Sequence, residues 1–488
     1  MYQTKIDRIK FYAVFIFIIS IFLTINCNAH SKFPATEVKE DFKYLYETLE
    51  ASSYDLFYYT EKSVFDKEYE RINKSITDSL TRLEINRLFQ TFVALGDFEH
   101  CKIGFPYSDF QFFYQNGGRF FPLEIAFVDN TPTVALDYTD NPDITIGDEI
   151  ISISGIPFQN ILEKMYTYMS GENDYVRRTM LESSSFSNIY WYVFDDFLGA
   201  AIQVKKHTGE INTCEIKGVT LDEYLLFVKN NPALPANTNS NREFKFINEI
   251  AYLHPGPFIN TNSGTGCVSD HETLNRNYFN TFIDSVFIEI SKKNTQNLII
   301  DIRGNTGGSD AFSNYMTAYF AKRPFKLASK VSMRTSQLAK DYYKDLDIPE
   351  VVDTKKKIMD LENGTRFEYD LSETLPRKDS LHFKGNVFVL VDRFSFSMAA
   401  AAASIIQDYS LGTIIGEETS TVPSSCGPMN EFTLPVTKIK TYYPRACGIR
   451  PNGDASLRGV IPDIFVKQDI FTEKDEVLDY TLKLINPK

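Results

Sequence analysis

Apolar residues at helical spacing mark the first part of the chain. They recur every three or four positions over residues 38–49 and again over residues 65–76. A third stretch opens with the capping box Thr81-Arg82-Leu83-Glu84, and Gly96 can close it. We therefore predict a helical N-terminal domain over residues 37–101, which ends in Asp97-Phe98-Glu99-His100-Cys101.

The pattern then changes to short strands. Residues 123–128 and 133–136 have strand character, and Gly147-Asp148 makes a turn before the alternating residues 149–153. We predict a second domain over residues 112–170. A connecting region with weaker signals follows over residues 171–245.

Strand and helix signals alternate in the last part of the chain, over residues 246–488. Such alternation favours an α/β core, so the predicted fold class is α/β, with an α+β multidomain arrangement overall. The predicted strands are residues 250–253, 298–302 and 387–391, and the predicted helices are residues 279–291 and 399–407.

Composition limits the class of protein and its partners. The chain has 488 residues, 43% of them hydrophobic and 24% charged, which is enough for about three domains. Its formal net charge of −13 argues against nucleic acid or an anionic lipid surface as the main partner. We predict no nucleic-acid partner.

The N-terminus has the pattern of a secretory signal. Lys5, Arg8 and Lys10 precede an apolar run over residues 11–25, which is too short for a comfortable membrane span. We expect residues 1–29 to be a signal peptide and the chain to be exported to the periplasm or outer envelope. Cleavage before Cys27 would give a lipid-anchored protein, and cleavage after Ala29 would not, so contact with the membrane is expected only through such an anchor.

Export makes disulfides possible for the remaining cysteines. Cys426 and Cys447 flank one hairpin-like excursion and are the first choice for a bridge, with free thiols as the alternative. The cysteine and histidine spacings match no zinc pattern. The sequence therefore predicts neither a metal site nor a cofactor.

Two motifs carry candidate chemistry. A buried strand opens into the glycine-rich loop 301–308, whose amides could meet an anion, although a plain tight turn has the same composition. Further on, Ser397 stands at a strand-to-helix turn before five alanines, a position that suits a nucleophile and equally an N-cap serine. Ser395 is the alternative nucleophile of this turn.

The two motifs in this order resemble the tail-specific, or carboxyl-terminal processing, serine peptidase family, including its tricorn-like branch. The resemblance implies a core with the ClpP/crotonase-like fold, an N-terminal helical leader, a PDZ-like domain and cleavage of peptides or proteins near their C-termini. Its substrates would be peptide or protein C-termini. The matching segments are Asp97-Phe98-Glu99-His100, which has one residue more than the family's Asp-x-His-Thr, residues 147–155, residues 298–308, Phe396-Ser397, residues 415–419 and Gly459-Val460-Ile461-Pro462-Asp463.

The resemblance also implies roles for single residues. Ser397 takes the place of the nucleophile, and the amides of Met398, Gly307 and Gly308 that of the oxyanion hole. Many members use a Lys from the segment after the nucleophile helix, but residues 417–427 contain none.

The tricorn-like branch instead takes a His from the leader, which His100 matches. Asp454 is the carboxylate nearest to an unmatched family Glu and is assigned as the orienting acid. Gly147 and Asp148 would form the peptide-binding loop of the PDZ-like domain.

Other functions fit the same motifs. A chain with this fold but without a working proton acceptor would be a peptide-binding or scaffold protein, and a crotonase-like core could belong to a CoA-thioester enzyme. The sequence favours an exported serine endopeptidase. The distance between His100 Nε2 and Ser397 Oγ is the observation that tests it.

Overall fold

The computed structural model describes residues 32–139, 141–183, 185–231, 241–260, 277–346, 352–427, 429–472 and 474–486. The predicted signal peptide, with Cys27 and Ala29, lies outside these ranges. Within them, no helix is long and apolar enough to cross a membrane. The predicted mixed α/β architecture is confirmed.

The leader is helical. Helices α1 (Ala35–Ser52), α2 (Lys62–Ser75) and α3 (Arg82–Ala94) pack their apolar faces together around Phe42, Phe65 and Phe92. The predicted capping box is present, because Thr81 Oγ1 accepts from Glu84 N and the Glu84 carboxylate accepts from Thr81 N. A two-stranded ribbon, β1 (Lys32–Phe33) with β2 (Leu80–Thr81), and helix α4 (Tyr107–Gln115) complete this part.

The leader also joins the C-terminal part of the chain. Strand β3 (Lys102–Ile103) pairs antiparallel with a later strand, Lys440–Pro444, as Thr441↔Ile103 and Tyr442↔Lys102. The predicted disulfide between Cys426 and Cys447 is present and packs in the same apolar cluster as Cys101. Cys101 and Cys214 are free and buried, and Cys267 lies outside the described residues.

The middle of the chain forms one sheet in the order β4-β5-β6-β8-β9, with β7 beside β6. We call it the middle sheet. The predicted domain boundary at residue 170 falls inside it, because β8 pairs with β6 and belongs to what was predicted as a connecting region. Its strands are β4 (Leu123–Val128), β5 (Thr131–Asp137), β6 (Glu149–Ile153), β7 (Ile156–Pro157), β8 (Gly199–Lys205) and β9 (Ile211–Lys217), and its helices are α5 (Phe158–Tyr166), α6 (Asp174–Ser183), α7 (Phe186–Phe194) and α8 (Leu221–Asn230).

The C-terminal core contains a six-stranded sheet. Its first two strands are antiparallel and every later pair is parallel, so its central strands are apolar on both faces. Its strands in spatial order are β10 (Glu243–Ile247), β11 (Ile250–His254), β12 (Asn297–Asp301), β15 (Asn386–Val391), β16 (Thr413–Gly416) and β20 (Ile464–Phe465).

Helices cover this sheet. One cluster of buried apolar residues lies between the sheet and three helices, α9 (Asn277–Lys293), α10 (Asp310–Thr317) and α13 (Met398–Asp408). Helix α14 (Glu476–Ile485) packs against a second such cluster. Two three-stranded sheets lie outside it, β17 (Met429–Thr433) with β18 (Lys440–Pro444) and β3, and β14 (Arg366–Tyr369) with β13 (Lys330–Arg334) and β19 (Ala446–Ile449). Helices α11 (Gln337–Lys344) and α12 (Val352–Asp360) complete the fold.

Candidate active site

The candidate site lies at the carboxyl ends of two neighbouring parallel strands. β12 leads into the glycine-rich loop and β15 into the Ser397 turn, and the two strands pair directly, as Asp301↔Leu390. The loops that follow are hydrogen-bonded to each other, since Phe396 N donates to Asn305 O at 2.9 Å and Gly304 N to Asp392 Oδ1 at 3.0 Å. Adjacent strands of a parallel sheet therefore bring the two sequence motifs together.

Ser397 occupies a strained turn at the start of helix α13. Its φ is +49°, a left-handed conformation that costs a non-glycine residue about 1–2 kcal/mol. Ser397 occupies the N-cap position of the helix, as the N-cap interpretation has it, but its side chain makes no capping bond. Its hydroxyl is left half-exposed at the positive end of the helix.

Ser395, the alternative nucleophile, is fully engaged in the turn. Its Oγ contacts Ile302 O at 2.9 Å and Asp392 Oδ1 at 3.1 Å and accepts from Asp392 N at 3.2 Å. The side chain is buried. It holds the turn and is not presented to a substrate.

The glycine-rich loop comes very close to the Ser397 turn. A Cβ on Gly307, which has φ +89°, would lie 2.8 Å from Met398 N and from Phe396 O. The Gly307 amide donates to Asn305 Oδ1 at 2.8 Å, so it is not free to bind an oxyanion and this prediction is wrong. Within the described residues, the amides of Gly308 and Met398 have no acceptor and are the available donors.

His100 is brought to this turn from the leader. Its Nε2 lies 3.5 Å from Ser397 Oγ, although 297 positions separate the two residues. The next residues hold the segment in place, since Ser170 Oγ donates to Cys101 O at 2.5 Å and β3 pairs with β18. Burial lowers the pKa of His100, while the Glu99 carboxylate acts in the opposite direction.

The C-terminal part of the chain matches a known protein family. Residues 273–466 match the model of peptidase family S41. This part of the chain is thus similar to a peptidase family S41 domain. It contains the glycine-rich loop, Ser397 and the Gly459–Asp463 motif, whereas His100 comes from outside it.

Solved structures extend the likeness over most of the chain. Mature CPAF is 13% identical, with 88% of this chain and 92% of that chain covered and a TM-score of 0.58. Mature CPAF complexed with lactacystin is 14% identical, with 88% and 94% covered and a TM-score of 0.60. At this identity the likeness shows the fold alone. A putative peptidase from Parabacteroides merdae is 13% identical over 93% of this chain and 98% of its own, with a TM-score of 0.43. No curated protein matches.

The structure does not bring Asp454 to His100. The Asp454 carboxylate is exposed and accepts from Ser456 N at 2.9 Å and Ser456 Oγ at 3.0 Å, which lowers its pKa. His100 Nδ1 is buried and has no hydrogen-bond partner within the described residues. The assignment of Asp454 as orienting acid is therefore unsupported, because it rested on nearness in sequence to a motif.

The Gly147-Asp148 turn is a structural element of the middle sheet. Asp148 is buried, and its carboxylate accepts from Thr145 N at 2.7 Å and Lys206 Nζ at 2.6 Å. Gly147 N donates to Val134 O. These bonds occupy the groups that a peptide terminus would need, so the predicted peptide-binding loop gains no support.

The segment after helix α13 contributes a hydroxyl to the candidate site. Thr421 Oγ1 accepts from Ser397 N at 2.9 Å and donates to Glu99 Oε1 at 3.2 Å. The lysines further along bond elsewhere, Lys438 to Pro435 O and Lys440 to Glu431. Sequence reasoning missed both Thr421 and Glu99, and the extra residue of the leader motif was the one signal for Glu99.

The Gly459–Asp463 motif explains where Thr421 lies. Val460 N donates to Thr419 Oγ1 at 2.9 Å, and a Cβ on Gly459 would lie 1.7 Å from Thr419 O. The motif thus packs directly against the loop that carries Thr421. No group of three or more acidic, His or Cys side chains suited to a metal ion occurs within the described ranges.

Proposed function

We propose that this chain is an exported serine endopeptidase in which Ser397 is the nucleophile and His100 the general base. The observation that carries the proposal is the 3.5 Å separation of His100 Nε2 and Ser397 Oγ at a strained strand-to-helix turn. Catalytic hydrogen bonds of this length in an unliganded site tighten when substrate binds. The S41 domain match supports a serine peptidase, and the assignment of roles is our own.

The geometry suits acyl transfer. Ser397 Oγ attacks the peptide carbonyl carbon while its proton passes to His100 Nε2, and the imidazolium then protonates the leaving amine. A water, deprotonated by the same imidazole, hydrolyses the acyl-enzyme. The amides of Gly308 and Met398 and the N-terminus of helix α13 stabilise the oxyanion.

The protonation state of His100 fits the role of a base. Burial lowers its pKa below the usual value for His, so the imidazole is neutral at pH 7 and can accept a proton. We expect kcat to fall at acid pH as His100 becomes protonated. The inflection of that limb should lie below pH 6.5.

Specificity for C-termini is the finer part of the proposal. The resemblance assigns capture of the substrate terminus to the PDZ-like part, by addition of the peptide as a strand. A peptide with a free terminal carboxylate should be cleaved faster than the same peptide with an amidated end. Equal cleavage rates for the two peptides would indicate an endopeptidase that does not select for a C-terminus.

Export is proposed from residues 1–29 alone. Intact mass of the protein from the cell envelope distinguishes the two cleavage positions. A lipid-modified Cys27 supports the anchor, and a chain that begins after Ala29 supports release.

The test of the catalytic proposal is labelling by a fluorophosphonate together with peptide cleavage. Ser397→Ala should abolish both, with cleavage lower by at least about 10³-fold. His100→Asn should slow both by about 10²–10⁴-fold. The exposed Ser291→Ala and His207→Asn are matched controls that should leave both rates unchanged.

The alternative function is a peptide-binding scaffold. His100 Nδ1 has no hydrogen-bond partner in the part of the chain that the structure describes, and this favours the scaffold, because a base without an orienting acid is a weaker base. A wild-type chain that binds peptide, takes no fluorophosphonate label and cleaves nothing would establish the scaffold.

A further inference from the structure

We propose that Glu99 is the positioning residue of this site, which holds the Ser397 turn through the Thr421 hydroxyl and supplies the negative charge beside His100. In this arrangement the charge acts across space, and no carboxylate of the described ranges is bonded to the imidazole Nδ1. The inference rests on the proposed function.

Two hydrogen bonds connect Ser397 to Glu99 through Thr421. Ser397 N donates to Thr421 Oγ1 at 2.9 Å, and the Thr421 hydroxyl donates to Glu99 Oε1 at 3.2 Å. Because a hydroxyl has one proton, donation to Glu99 leaves its lone pairs directed at the Ser397 amide. Thr421 is 4% exposed, so water does not readily replace this contact. These two hydrogen bonds thus fix the backbone of Ser397, which is in a strained conformation.

A second carboxyl lies next to Glu99. Glu99 N donates to Glu172 Oε1 at 3.3 Å, while Glu172 Oε2 is buried without a partner in the described part of the chain. Two adjacent carboxylates in such a place are costly to ionise together. Burial and the Glu99 charge raise the pKa of Glu172 to about 8. Glu172 is therefore mostly protonated at neutral pH.

The other charges near the pair do not substitute for Glu99. On the leader segment itself, Lys102 lowers the pKa of His100 and Glu99 raises it. From the neighbouring elements, Arg177 and Tyr59 face Glu172, and Arg177 is also paired with Asp97. Glu99 is thus the carboxylate that favours the imidazolium formed during the reaction.

The experiment compares Glu99→Gln with Glu172→Gln in the full chain. Both variants remove one ionisable carboxyl and keep an amide oxygen as acceptor. Glu172 bonds to neither Ser397 nor His100 and stands outside the catalytic machinery. The readouts are the pH profile of kcat and the titration of the His100 imidazole by ¹⁵N NMR, assigned with His100→Asn.

We expect a change in both readouts for Glu99→Gln and none at neutral pH for Glu172→Gln. Glu99→Gln should move the His100 titration and the acid limb of kcat to lower pH and reduce kcat by about tenfold, the effect of one nearby charge in a partly buried site. Glu172→Gln should leave both unchanged at neutral pH and abolish any transition near pH 8. Equal effects of the two variants, or a shift with Glu172→Gln alone, would overturn the proposal.

The hydrogen-bond chain has its own variants. Thr421→Val keeps the shape but removes the hydroxyl, so kcat should fall by about 10–100-fold while the His100 titration stays in place. Thr421→Ser should restore kcat. A Thr421→Val enzyme as fast as wild type would refute the positioning role.

Failure of the proposed function can be told from failure of this inference. If the wild-type chain cleaves nothing and takes no fluorophosphonate label, the peptidase proposal fails. The NMR titration still decides whether Glu99 and not Glu172 sets the proton affinity of His100.

Discussion

The serine half and the histidine half of the site are built in different ways. The serine half comes from two loops that follow paired strands of one sheet, and the polar groups around it are bonded to each other. The histidine half comes from a leader segment that docks on the core, and His100 Nδ1 is buried there without a hydrogen-bond partner among the described residues. The nucleophile turn is thus fixed by the core, whereas the base depends on the docking of another part of the chain.

This difference explains why the two halves respond to different perturbations. The serine half is sensitive to atoms added between its two loops, because the two loops are already in van der Waals contact with each other. The histidine half is sensitive to whatever loosens the interface between leader and core. Three variants test this comparison.

Gly307→Ala should have the largest effect, on the serine half. The new Cβ would meet Met398 N and Phe396 O at 2.8 Å and Ser397 Cβ at 2.9 Å, so the two loops must separate. We expect kcat to fall by about 100-fold, as for a small misplacement of reacting groups. The measurement is kcat of Gly307→Ala beside that of Gly364→Ala, the control variant. Gly364 has the same φ of +89°, but a Cβ added there would meet only Arg334 Nη2, at 3.8 Å. Comparable activities of the two variants would contradict the close contact.

Loss of the Cys426–Cys447 disulfide should act next, on the histidine half. The bridge closes a loop over 21 positions and packs with Cys101 and Ile103. Its removal should lower the free energy of unfolding by about 3 kcal/mol. Thermal unfolding of the Cys426→Ser/Cys447→Ser variant measures this loss, and the variant should no longer respond to reductant. An unchanged Tm would show that the leader docks without the bridge.

Asp454→Ala should have the smallest effect. Its carboxylate is exposed and bonds within its own turn, so stability should change by less than about 0.5 kcal/mol. The kcat should equal that of wild type. A loss of more than tenfold in kcat would indicate that Asp454 acts in the site and would weaken the case for Glu99.

Local sequence signals predicted much of the fold. The capping box at Thr81, the strand Leu123–Val128 and the helix after Ser397 follow from short-range patterns, and each is present. The predicted boundary at residue 170 falls inside the middle sheet, because β8, which begins 46 positions after the end of β6, pairs with β6. Pairing between distant strands leaves no mark in a local pattern.

The sequence by itself determined the strand-to-helix turn that holds Ser397, the glycine-rich loop and the candidate histidine. These depend on residue type and short spacing, which the chain displays directly. Only the tertiary structure decided that Gly307 N is occupied, that Asp454 lies away from His100, and that Thr421 and Glu99 are linked by hydrogen bonds to the Ser397 turn. The physical reason is that hydrogen-bond partners and desolvation are set by contacts between segments up to about three hundred positions apart, which exist only once the leader has packed on the core.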